Sequence, residues 1–559
     1  MEALCGQLSQ ILSCVVDFCI LLVTSEAKNR HLLPHERKGC SVLKIARRLL
    51  AEKKYQEAHA LCIRALQTNP SNGEAYFLLG QLTADHDNFV KALDIYGRAR
   101  AAGYSEAETC TQISRCLIAL NRRDEAVSMV RQAISAGPAD ALTLDTIGVV
   151  LSRAGLHDEA VAFYQKACAR NPNNADYQYN RGVALQFVGR FDEAGDAFRT
   201  CLALAPDNTR ARVAMVSITK QSKQNNSLHE LKADWDQRPV SDTDAKLQLA
   251  HAIAKTHEDM GDQQLAMTWL EQGKTIKLAT LDPREEEDRA CFEAAENLAT
   301  TLKISPSDTA DGPIFIVGMP RTGTTLVDRI VSSHSSVTSG GELGDFSIAL
   351  KRQAATKSPL VLDETTLRAT KALDMKALGQ RYLNSVEATL QLTGRFTDKM
   401  PLNFFYVPAI LSAIPNARII CVRRNPADTV LSNYRQLFAT AFSYYTYAYD
   451  LKLAARYVVK FNKLMDAFYR RLPEEAFTSV HYEQLVTNTE EEVRRLLAFC
   501  DLPFEEACMR FHESKAAVAT ASATQVRKPV YTSSVGRWRK CEDAMQPALE
   551  ILRNANLEF

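Results

Sequence analysis

The stretch Pro313–Thr325, P-I-F-I-V-G-M-P-R-T-G-T-T, predicts a strand, a glycine-containing turn and the start of a helix. The uninterrupted apolar run Ile314–Val317 is typical of a strand that is buried on both faces of a parallel sheet. The N–H groups of the first helical turn have no partner within the helix, so they can form a cradle for an anion. The spacing from Gly318 to Gly323 is that of a Walker A loop, but Thr324 stands where the lysine should be. Because γ-phosphoryl transfer normally needs that lysine, the loop indicates a phosphate-like ligand and argues against ATP hydrolysis.

The turn resembles the 5′-phosphosulfate loop of sulfotransferases, in which P-x-R-[ST]-G-T-T replaces the Walker lysine. Residues 312–559 resemble the tyrosylprotein sulfotransferases and bacterial proteins that join tetratricopeptide (TPR) repeats to a sulfotransferase domain. The resemblance implies a P-loop-like α/β domain with a parallel sheet, and 3′-phosphoadenosine 5′-phosphosulfate (PAPS) as co-substrate. Arg321 would bridge phosphate and sulfate oxygens and counter the charge of the leaving group, so it is both a catalytic and a cofactor-binding candidate. The 5′-phosphate would be held by backbone N–H groups and hydroxyls of Thr322, Gly323, Thr324 and Thr325.

A second motif, R-N-P-A-D-T-V-L-S from Arg424 to Ser432, follows another buried-strand run and matches the 3′-phosphate motif of sulfotransferases. The arginine leaves the strand end and the serine lies two turns into the helix, so both can reach one phosphate. This second site distinguishes a 3′,5′-bisphosphorylated adenosine from ATP. The resemblance further implies cofactor contacts from Tyr482, Ser522 and Arg537, the last of which replaces a lysine.

Two further residues are implied to act in the transfer itself. Glu342 matches the general base of the tyrosylprotein sulfotransferases, and Gly341 replaces their first glutamate. Such a base removes the acceptor's hydroxyl proton as the oxygen attacks sulfur in line. Other sulfotransferases use a histidine and His334 lies in this segment, but a helix-end histidine is more often structural. Lys399 matches the lysine that contacts the bridging oxygen of the leaving group, where a cation stabilises developing charge. Gly344 replaces an arginine of the tyrosyl enzymes, and this departure argues against a tyrosine-peptide acceptor.

The composition is that of an ordinary globular protein with more than one domain. A chain of 559 residues is too long for one core, and its 46% hydrophobic and 24% charged residues are average values. The net charge of +1 does not indicate a basic surface for binding nucleic acid. The 14 cysteines include no C-x-x-C pair, which argues against zinc and a disulfide framework and favours buried thiols in the cytoplasm. We also find no cluster of acidic or histidine ligands, and we expect no metal.

An apolar segment near the start of the chain does not fit a membrane span. Ala3–Thr24 is nearly uncharged, but Asp17 lies near its middle, and no basic region precedes the segment. An aspartate at the centre of a span costs roughly 2.5–3.5 kcal/mol on insertion scales, and signal peptides begin with positive charge. We therefore predict a packed helical extension over residues 1–38, or an extension from an upstream start codon.

A strict repeat occupies the first half of the chain. Alanine recurs at a constant interval, at Ala58, Ala92, Ala126, Ala160 and Ala194. The same interval is kept by another series of small residues, Gly80, Ser114, Gly148 and Gly182. This is the 34-residue TPR period, in which small residues let two helices approach and aromatic residues such as Tyr96, Tyr164 and Phe198 fill the groove between repeats. We predict five repeats that form an all-α, right-handed solenoid over residues 39–208.

Residues 209–311 are predicted to be a linker with a divergent helical pair, because apolar periodicity resumes at Ala250 and continues to Leu270. The sulfotransferase domain would then occupy residues 312–559. Two roles for the solenoid stay open. Its concave surface could hold a peptide or partner protein, or it could serve as a dimerisation or spacer module.

Three functions are compatible with these motifs to different degrees. The first is a PAPS-dependent sulfotransferase that sulfates a hydroxyl on a peptide tyrosine, a protein or a glycan, with Glu342 as general base. The second is a nucleotide kinase, against which the missing Walker lysine and the pair Arg424 and Ser432 argue. The third is a TPR scaffold whose transferase domain binds PAPS but is catalytically inactive, and turnover rather than binding distinguishes it from the first.

Overall fold

The structure is a computed structural model, and it describes residues 42–282, 284–307, 309–392, 394–438, 440, 443–513 and 529–559. The predicted extension over residues 1–38 lies outside this range. The chain divides into two compact units, of which the first ends at Ala139 and the second runs from Asp140 to Phe559. The domain limits given above stay predictions. Within the described ranges, no helix has both the length and the apolar character needed to cross a bilayer.

The first unit is built from consecutive helices joined by short turns. They are α1 Val42–Ala51, α2 Tyr55–Thr68, α3 Gly73–Asp85, α4 Phe89–Ala101, α5 Glu106–Ala119 and α6 Arg123–Ser135. Side chains cap several of these helices, and Asn72, for example, accepts a hydrogen bond from the backbone N–H of Ala75 at the start of α3. Helices α3 and α4 approach closely because Gly80 lacks a side chain: a Cβ there would lie 2.7 Å from the ring of Tyr96.

The second unit begins with the same pattern of helical hairpins. Its first helices are α7 Ala141–Arg153, α8 His157–Arg170, α9 Ala175–Phe187, α10 Phe191–Leu204, α11 Thr209–Ile218, α12 Leu228–Gln237, α13 Thr243–Asp259, α14 Gln263–Leu278 and α15 Glu285–Thr301. A Cβ on Gly148 would lie 2.8 Å from the ring of Tyr164, and one on Gly182 would lie 2.5 Å from the ring of Phe198. The predicted aromatic residues therefore pack against the glycine of their own repeat. The all-α repeat architecture predicted from the period of the sequence is confirmed.

A five-stranded, fully parallel sheet follows the helices, in the order β2-β3-β1-β4-β5. Its strands are β1 Ile314–Gly318, β2 Thr338–Ser339, β3 Phe396–Asp398, β4 Arg418–Arg423 and β5 Phe477–His481. The helices of this part are α16 Thr324–Ser332, α17 Asp345–Ala354, α18 Glu364–Ala369, α19 Met375–Leu390, α20 Val407–Ala413, α21 Pro426–Tyr434, α22 Leu451–Arg471, α23 Tyr482–Thr487, α24 Thr489–Phe499 and α25 Glu542–Asn554. The predicted parallel sheet is confirmed.

The central strand β1 separates two apolar cores. Phe315 and Val317 point into a core that is shared with Phe346 and Phe404, whereas Ile314 and Ile316 point into a second core on the other face. The predicted burial on both faces is therefore correct. Since β1 and β4 are parallel neighbours, their carboxyl ends meet at one edge of the sheet, where ligands of open α/β sheets bind.

Candidate functional site

The loop between β1 and α16 is tightly wound. Gly323 has a φ of +107°, and a Cβ at this position would lie 2.7 Å from the ring of Tyr482. Arg321 also lies in the left-handed region, with a φ of 66°. A non-glycine residue in that region is strained by roughly 1–3 kcal/mol, and such residues cluster at ligand sites. The loop geometry is therefore that of a site shaped for close approach of a ligand.

The hydroxyl of Thr322 is used within the loop itself. It donates a hydrogen bond of 2.8 Å to the backbone carbonyl oxygen of Met319. Thr324 is buried at the first position of α16. Neither threonine lines the cavity beside the loop, whereas Thr325 does.

That cavity, which we call the arginine cavity, has a volume of about 180 Å³ and contains four arginines, Arg321, Arg424, Arg435 and Arg537. It brings together the following predicted cofactor residues: Arg321, Gly323, Thr325, Arg424, Ser432, Tyr482 and Arg537. Ser522 lies outside the described residues. The two segments that the sequence predicts to bind separate phosphates therefore face one cavity.

Arg424 is anchored in the arginine cavity by hydrogen bonds to three other residues. Its Nη1 donates to the carbonyl oxygen of Arg321 at 3.0 Å and to the hydroxyl of Ser432 at 3.3 Å. Its Nη2 donates to the carbonyl oxygen of Ser534 at 2.5 Å, and its guanidinium lies 4.8 Å from the ring centroid of Tyr482. The buried Nε has no acceptor among the described residues. A buried N–H donor without an acceptor is costly, and an anion bound in the cavity would satisfy it.

The electrostatics of the arginine cavity also suit an anion. Burial lowers the pKa of Arg321 below its ordinary range, and the positive charge of Arg424 adds to this effect. Burial likewise lowers the pKa of Arg537. Both shifts mean that the charged guanidinium groups are held in an environment that disfavours them, and a bound anion would relieve this cost. The residues present therefore fit a ligand with more than one phosphate or sulfate group.

Glu342 and Lys399 meet at the edge of the sheet, although they are far apart in sequence. The Nζ of Lys399 forms an ion pair with Oε1 of Glu342. The lysine side chain is only 1% exposed, whereas that of Glu342 is 39% exposed. The backbone N–H of Lys399 donates to the carbonyl oxygen of Gly341 at 2.8 Å, which fixes the two segments side by side. The two residues predicted to carry the chemistry are thus brought together, but neither lines the arginine cavity.

Two buried carboxyl groups flank Lys399, and sequence reasoning did not single them out. Asp398 accepts a hydrogen bond of 3.0 Å from the hydroxyl of Tyr382, and burial raises its pKa well above the ordinary value. Asp328 accepts a hydrogen bond of 2.5 Å from the hydroxyl of Thr397, and burial also raises its pKa. In the sequence, the one signal for either carboxyl group is that Asp398 directly precedes Lys399 in the motif T-D-K-M-P.

Two other residues change the list of site candidates. Arg435 lines the arginine cavity, and it could have been found because it lies three residues after Ser432 and thus on the same face of the helix. His334 is a structural residue: its Nε2 lies 3.1 Å from the carbonyl oxygen of Pro503, and its Nδ1 accepts a hydrogen bond from the N–H of Ser336. Across the described ranges, no group of three or more histidine, cysteine, aspartate or glutamate residues is arranged to hold a metal ion.

Comparison with known families agrees with this geometry. Residues 313–506 match the sulfotransferase family. Residues 49–109, 107–140, 151–186 and 175–208 match the tetratricopeptide repeat. The chain therefore contains a sulfotransferase-family domain preceded by TPR repeats, as the motifs predicted.

Individual relatives share only part of their length with this chain. An uncharacterized protein of Aquifex aeolicus (strain VF5) is 37% identical over 246 residues, which make up 43% of this chain and 32% of that protein. The protein-tyrosine sulfotransferase of Drosophila melanogaster is 27% identical over 240 residues, which make up 40% of this chain and 46% of that protein. The chain thus spans less than half the length of either relative. Among solved structures, the sulfotransferase domain from the curacin biosynthetic pathway is 16% identical with a TM-score of 0.31, and the match covers 45% of this chain and 100% of that domain.

Proposed function

We propose that this chain is a sulfotransferase that uses PAPS and releases 3′,5′-ADP. The observation that carries the proposal is the arginine cavity. The strained loop at Arg321 lines this cavity, and so do Arg424 and Ser432. Two anion-binding segments in one cavity suit a nucleotide that carries phosphate groups at both the 5′ and the 3′ position, and ATP has no phosphate at the 3′ position.

The loop between β1 and α16 and the helix α21 would both bind this nucleotide. Arg321 and the segment 322–325 would bind the 5′ end, where PAPS carries its sulfuryl group. Arg424, Ser432 and Arg537 would bind the 3′-phosphate. Tyr482, whose ring packs against the guanidinium of Arg424, and Ser522 would complete the cofactor site. Hydrogen bonds to charged groups contribute roughly 1.5–3 kcal/mol each, so losing one contact should weaken binding by about tenfold or more.

Glu342 and Lys399 would carry the chemistry of transfer. The carboxylate of Glu342 would accept the proton of the acceptor hydroxyl at the oxygen that does not pair with Lys399. The buried ammonium of Lys399 would stabilise the negative charge that develops on the leaving oxygen, and Arg321 would do the same from the loop. PAPS supplies the sulfuryl group for in-line attack, and such transfer requires no metal in principle. Asp398 and Asp328 would hold the strand end from which Lys399 projects.

The acceptor that we propose is a hydroxyl on a peptide, a protein or a glycan. The name of the Drosophila relative favours a tyrosyl hydroxyl, whereas Gly344, which replaces an arginine of the tyrosyl enzymes, argues against a tyrosine-peptide acceptor. The acceptors to be tested therefore include glycans and phenols beside tyrosyl peptides. Near Glu342, the ring of Tyr445 stacks on that of Phe438, with centroids 4.2 Å apart. Tyr445 is close enough to Glu342 for the carboxylate charge to add to the burial that raises its pKa. The TPR repeats would present the acceptor protein or another partner.

We also propose a reducing, cytoplasmic setting. The support comes from the cysteines: the ten that the structure describes are all buried and free. Buried thiols act as small apolar side chains and need no oxidising compartment.

The test is release of 3′,5′-ADP from PAPS in the presence of tyrosyl peptides, glycans and phenols. We expect turnover by the wild type and a loss of at least about tenfold in both Glu342→Gln and Arg424→Ala. Glu474→Gln, at an exposed position outside the site, is the matched control and should retain full activity. Tight binding of PAPS without turnover on any acceptor would instead favour an inactive scaffold, and absence of binding would exclude both functions.

A further inference from the structure

Glu258, which lies outside the sulfotransferase-family range, contacts two arginines of the arginine cavity. It lies near the end of α13, and its side chain is 13% exposed. Its two carboxylate oxygens form ion pairs with different arginines: Oε2 pairs with Arg435, and Oε1 pairs with Arg537. Both arginines line the cavity. A residue of the helical region is therefore in direct contact with two cations of the proposed cofactor site.

The backbone around Arg537 is fixed independently of its side chain. The carboxylate of Asp428, which is buried in α21, accepts the N–H of Gly536 at 2.7 Å and the N–H of Trp538 at 3.0 Å. These two bonds anchor the residues on either side of Arg537. The guanidinium at the end of the long side chain is held by Glu258. Both ends of Arg537 are thus restrained, and each restraint comes from a different part of the chain.

Helices α13 and α14, which we call the helical pair, are docked on the described residues from β1 onward, which we call the transferase part. Lys274 of α14 is 1% exposed, and its Nζ donates a hydrogen bond of 2.9 Å to the carbonyl oxygen of Ala448. The same ammonium lies 5.1 Å from the ring centroid of Tyr434 and 5.0 Å from that of Tyr449. Tyr434 directly precedes Arg435 in sequence. Glu258 and Arg435, whose side chains are 13% and 20% exposed, therefore form their ion pair beside a docked interface that restrains both helices.

The helix itself gives no reason for a glutamate at this place. Carboxylates near the C-terminus of a helix are unfavourable, because that end carries partial negative charge. Glu258 is followed only by Asp259 in α13. A glutamate here is stabilised by its ion pairs with Arg435 and Arg537. We therefore look for its effect in the position of these two arginines.

We propose that Glu258 is a positioning residue that aims Arg435 and Arg537 at the 3′-phosphate, so that the helical pair completes the cofactor site. Each guanidinium has five N–H donors, and the Nη2 group of each arginine pairs with Glu258. The other donors are left for the cavity that both arginines line. The inference rests on the proposed function, because it takes the ligand to be a 3′,5′-bisphosphorylated adenosine.

Calorimetric titration of the full chain with 3′,5′-ADP and with 5′-AMP, which lacks the 3′-phosphate, tests the proposal. We expect the Kd for 3′,5′-ADP to rise about tenfold in Glu258→Gln, while the Kd for 5′-AMP changes by less than about twofold. Glu271→Gln removes an exposed carboxylate from the other helix of the pair and should bind both nucleotides like the wild type. Glu258→Asp, which keeps the charge on a shorter side chain, should recover part of the affinity and serves as the second variant if Glu258→Gln does not fold.

The outcomes separate the inference from the function on which it rests. Unchanged or tighter binding of 3′,5′-ADP by Glu258→Gln would overturn the inference, since a carboxylate that merely competes with phosphate gives that result. Equal weakening for both nucleotides would also overturn it, because a purely structural role does not distinguish them. If the wild type showed no preference for 3′,5′-ADP over 5′-AMP, the proposed function would fail together with the inference.

Discussion

Replacing Lys274 by methionine should change how the stability of the chain depends on pH. The ammonium lies in the interface between the helical pair and the transferase part, next to the rings of Tyr434 and Tyr449. Burial lowers the pKa of Lys274 from its ordinary 10.5 to about 7. Methionine has a similar length, carries no charge and fills irregular apolar space well.

The sign of the effect follows from the two pKa values. Between about pH 7 and 10.5 the unfolded chain binds a proton at Lys274 that the folded chain has lost. The free energy of unfolding of the wild type should therefore rise with pH in this window, by at most about 1.4 kcal/mol per pH unit. From pH 7 to pH 9 the gain is about 2 kcal/mol, since Lys274 is still partly protonated at pH 7. The cost of burying the charge is fully present below pH 7.

The titratable neighbour His251 does not account for the expected change in the free energy of unfolding between pH 7 and pH 9. His251 faces Lys274 from α13, and burial, with a smaller contribution from the lysine charge, holds its pKa well below the ordinary value. Most of its contribution to the pH dependence of the free energy of unfolding therefore falls below pH 7, because histidine in the unfolded chain titrates near pH 6.5, and both proteins contain it. The hydrogen bond to Ala448 is lost in the variant, and this costs roughly 1–3 kcal/mol at every pH. The change in relative stability of wild type and Lys274→Met between pH 7 and pH 9 therefore isolates the effect of the Lys274 charge.

Urea unfolding followed by tryptophan fluorescence is a suitable assay, because Trp269 of α14 lies in edge contact with Trp235, with ring centroids 5.3 Å apart. We expect the wild type to gain about 2 kcal/mol relative to Lys274→Met between pH 7 and pH 9. Lys303→Met, at an exposed position, should follow the wild type at both pH values. A difference between wild type and Lys274→Met that does not vary with pH would refute the reasoning.

Three other variants test separate parts of the site. Gly323→Ala should lower the affinity for 3′,5′-ADP by at least about tenfold in a titration, because the new Cβ would lie 2.7 Å from the ring of Tyr482 and the φ of +107° is unfavourable for alanine; wild-type affinity would speak against this loop geometry. Lys399→Met should lower the turnover of PAPS by about a hundredfold while the Kd for 3′,5′-ADP stays within about threefold, and a matching loss of affinity would show a binding role instead. Asp398→Asn should gain stability relative to the wild type in urea unfolding as the pH rises above about 4, since burial raises the pKa of the wild-type carboxyl and its ionised form is costly to bury; a difference between the two proteins that does not vary with pH would contradict the raised pKa.

The parts of the structure that depend on local sequence were predictable. The apolar run Ile314–Val317 indicated a strand buried on both faces, and the constant interval between small residues indicated the helical hairpins. Arg424 and Ser432 could be paired because a strand end and the helix that follows it have a defined geometry. Such features depend on spacing alone.

Features that depend on long-range packing were not predictable from the same patterns. A lysine in an amphipathic helix is normally exposed, so nothing in α14 indicated that Lys274 is buried against Ala448, which is distant in sequence. The ion pair of Glu258 with Arg537 joins an otherwise ordinary helical glutamate to the C-terminal region of the chain. Arg435 could have been inferred from helix geometry, but its partner could not, because no local rule links two segments so far apart.

The docking of the helical pair has a consequence for how such chains can be recombined in evolution. A crossover upstream of Thr243 exchanges repeats and leaves the contacts of Glu258 and Lys274 intact. A crossover between α13 and the sheet brings in a foreign helix that must supply a carboxylate and a buried cation at the same two places. The inherited module is therefore expected to begin at α13, well before the strand that starts the sulfotransferase fold. Chains that join TPR repeats to this transferase part should also share this pair of helices, whatever number of repeats precedes it.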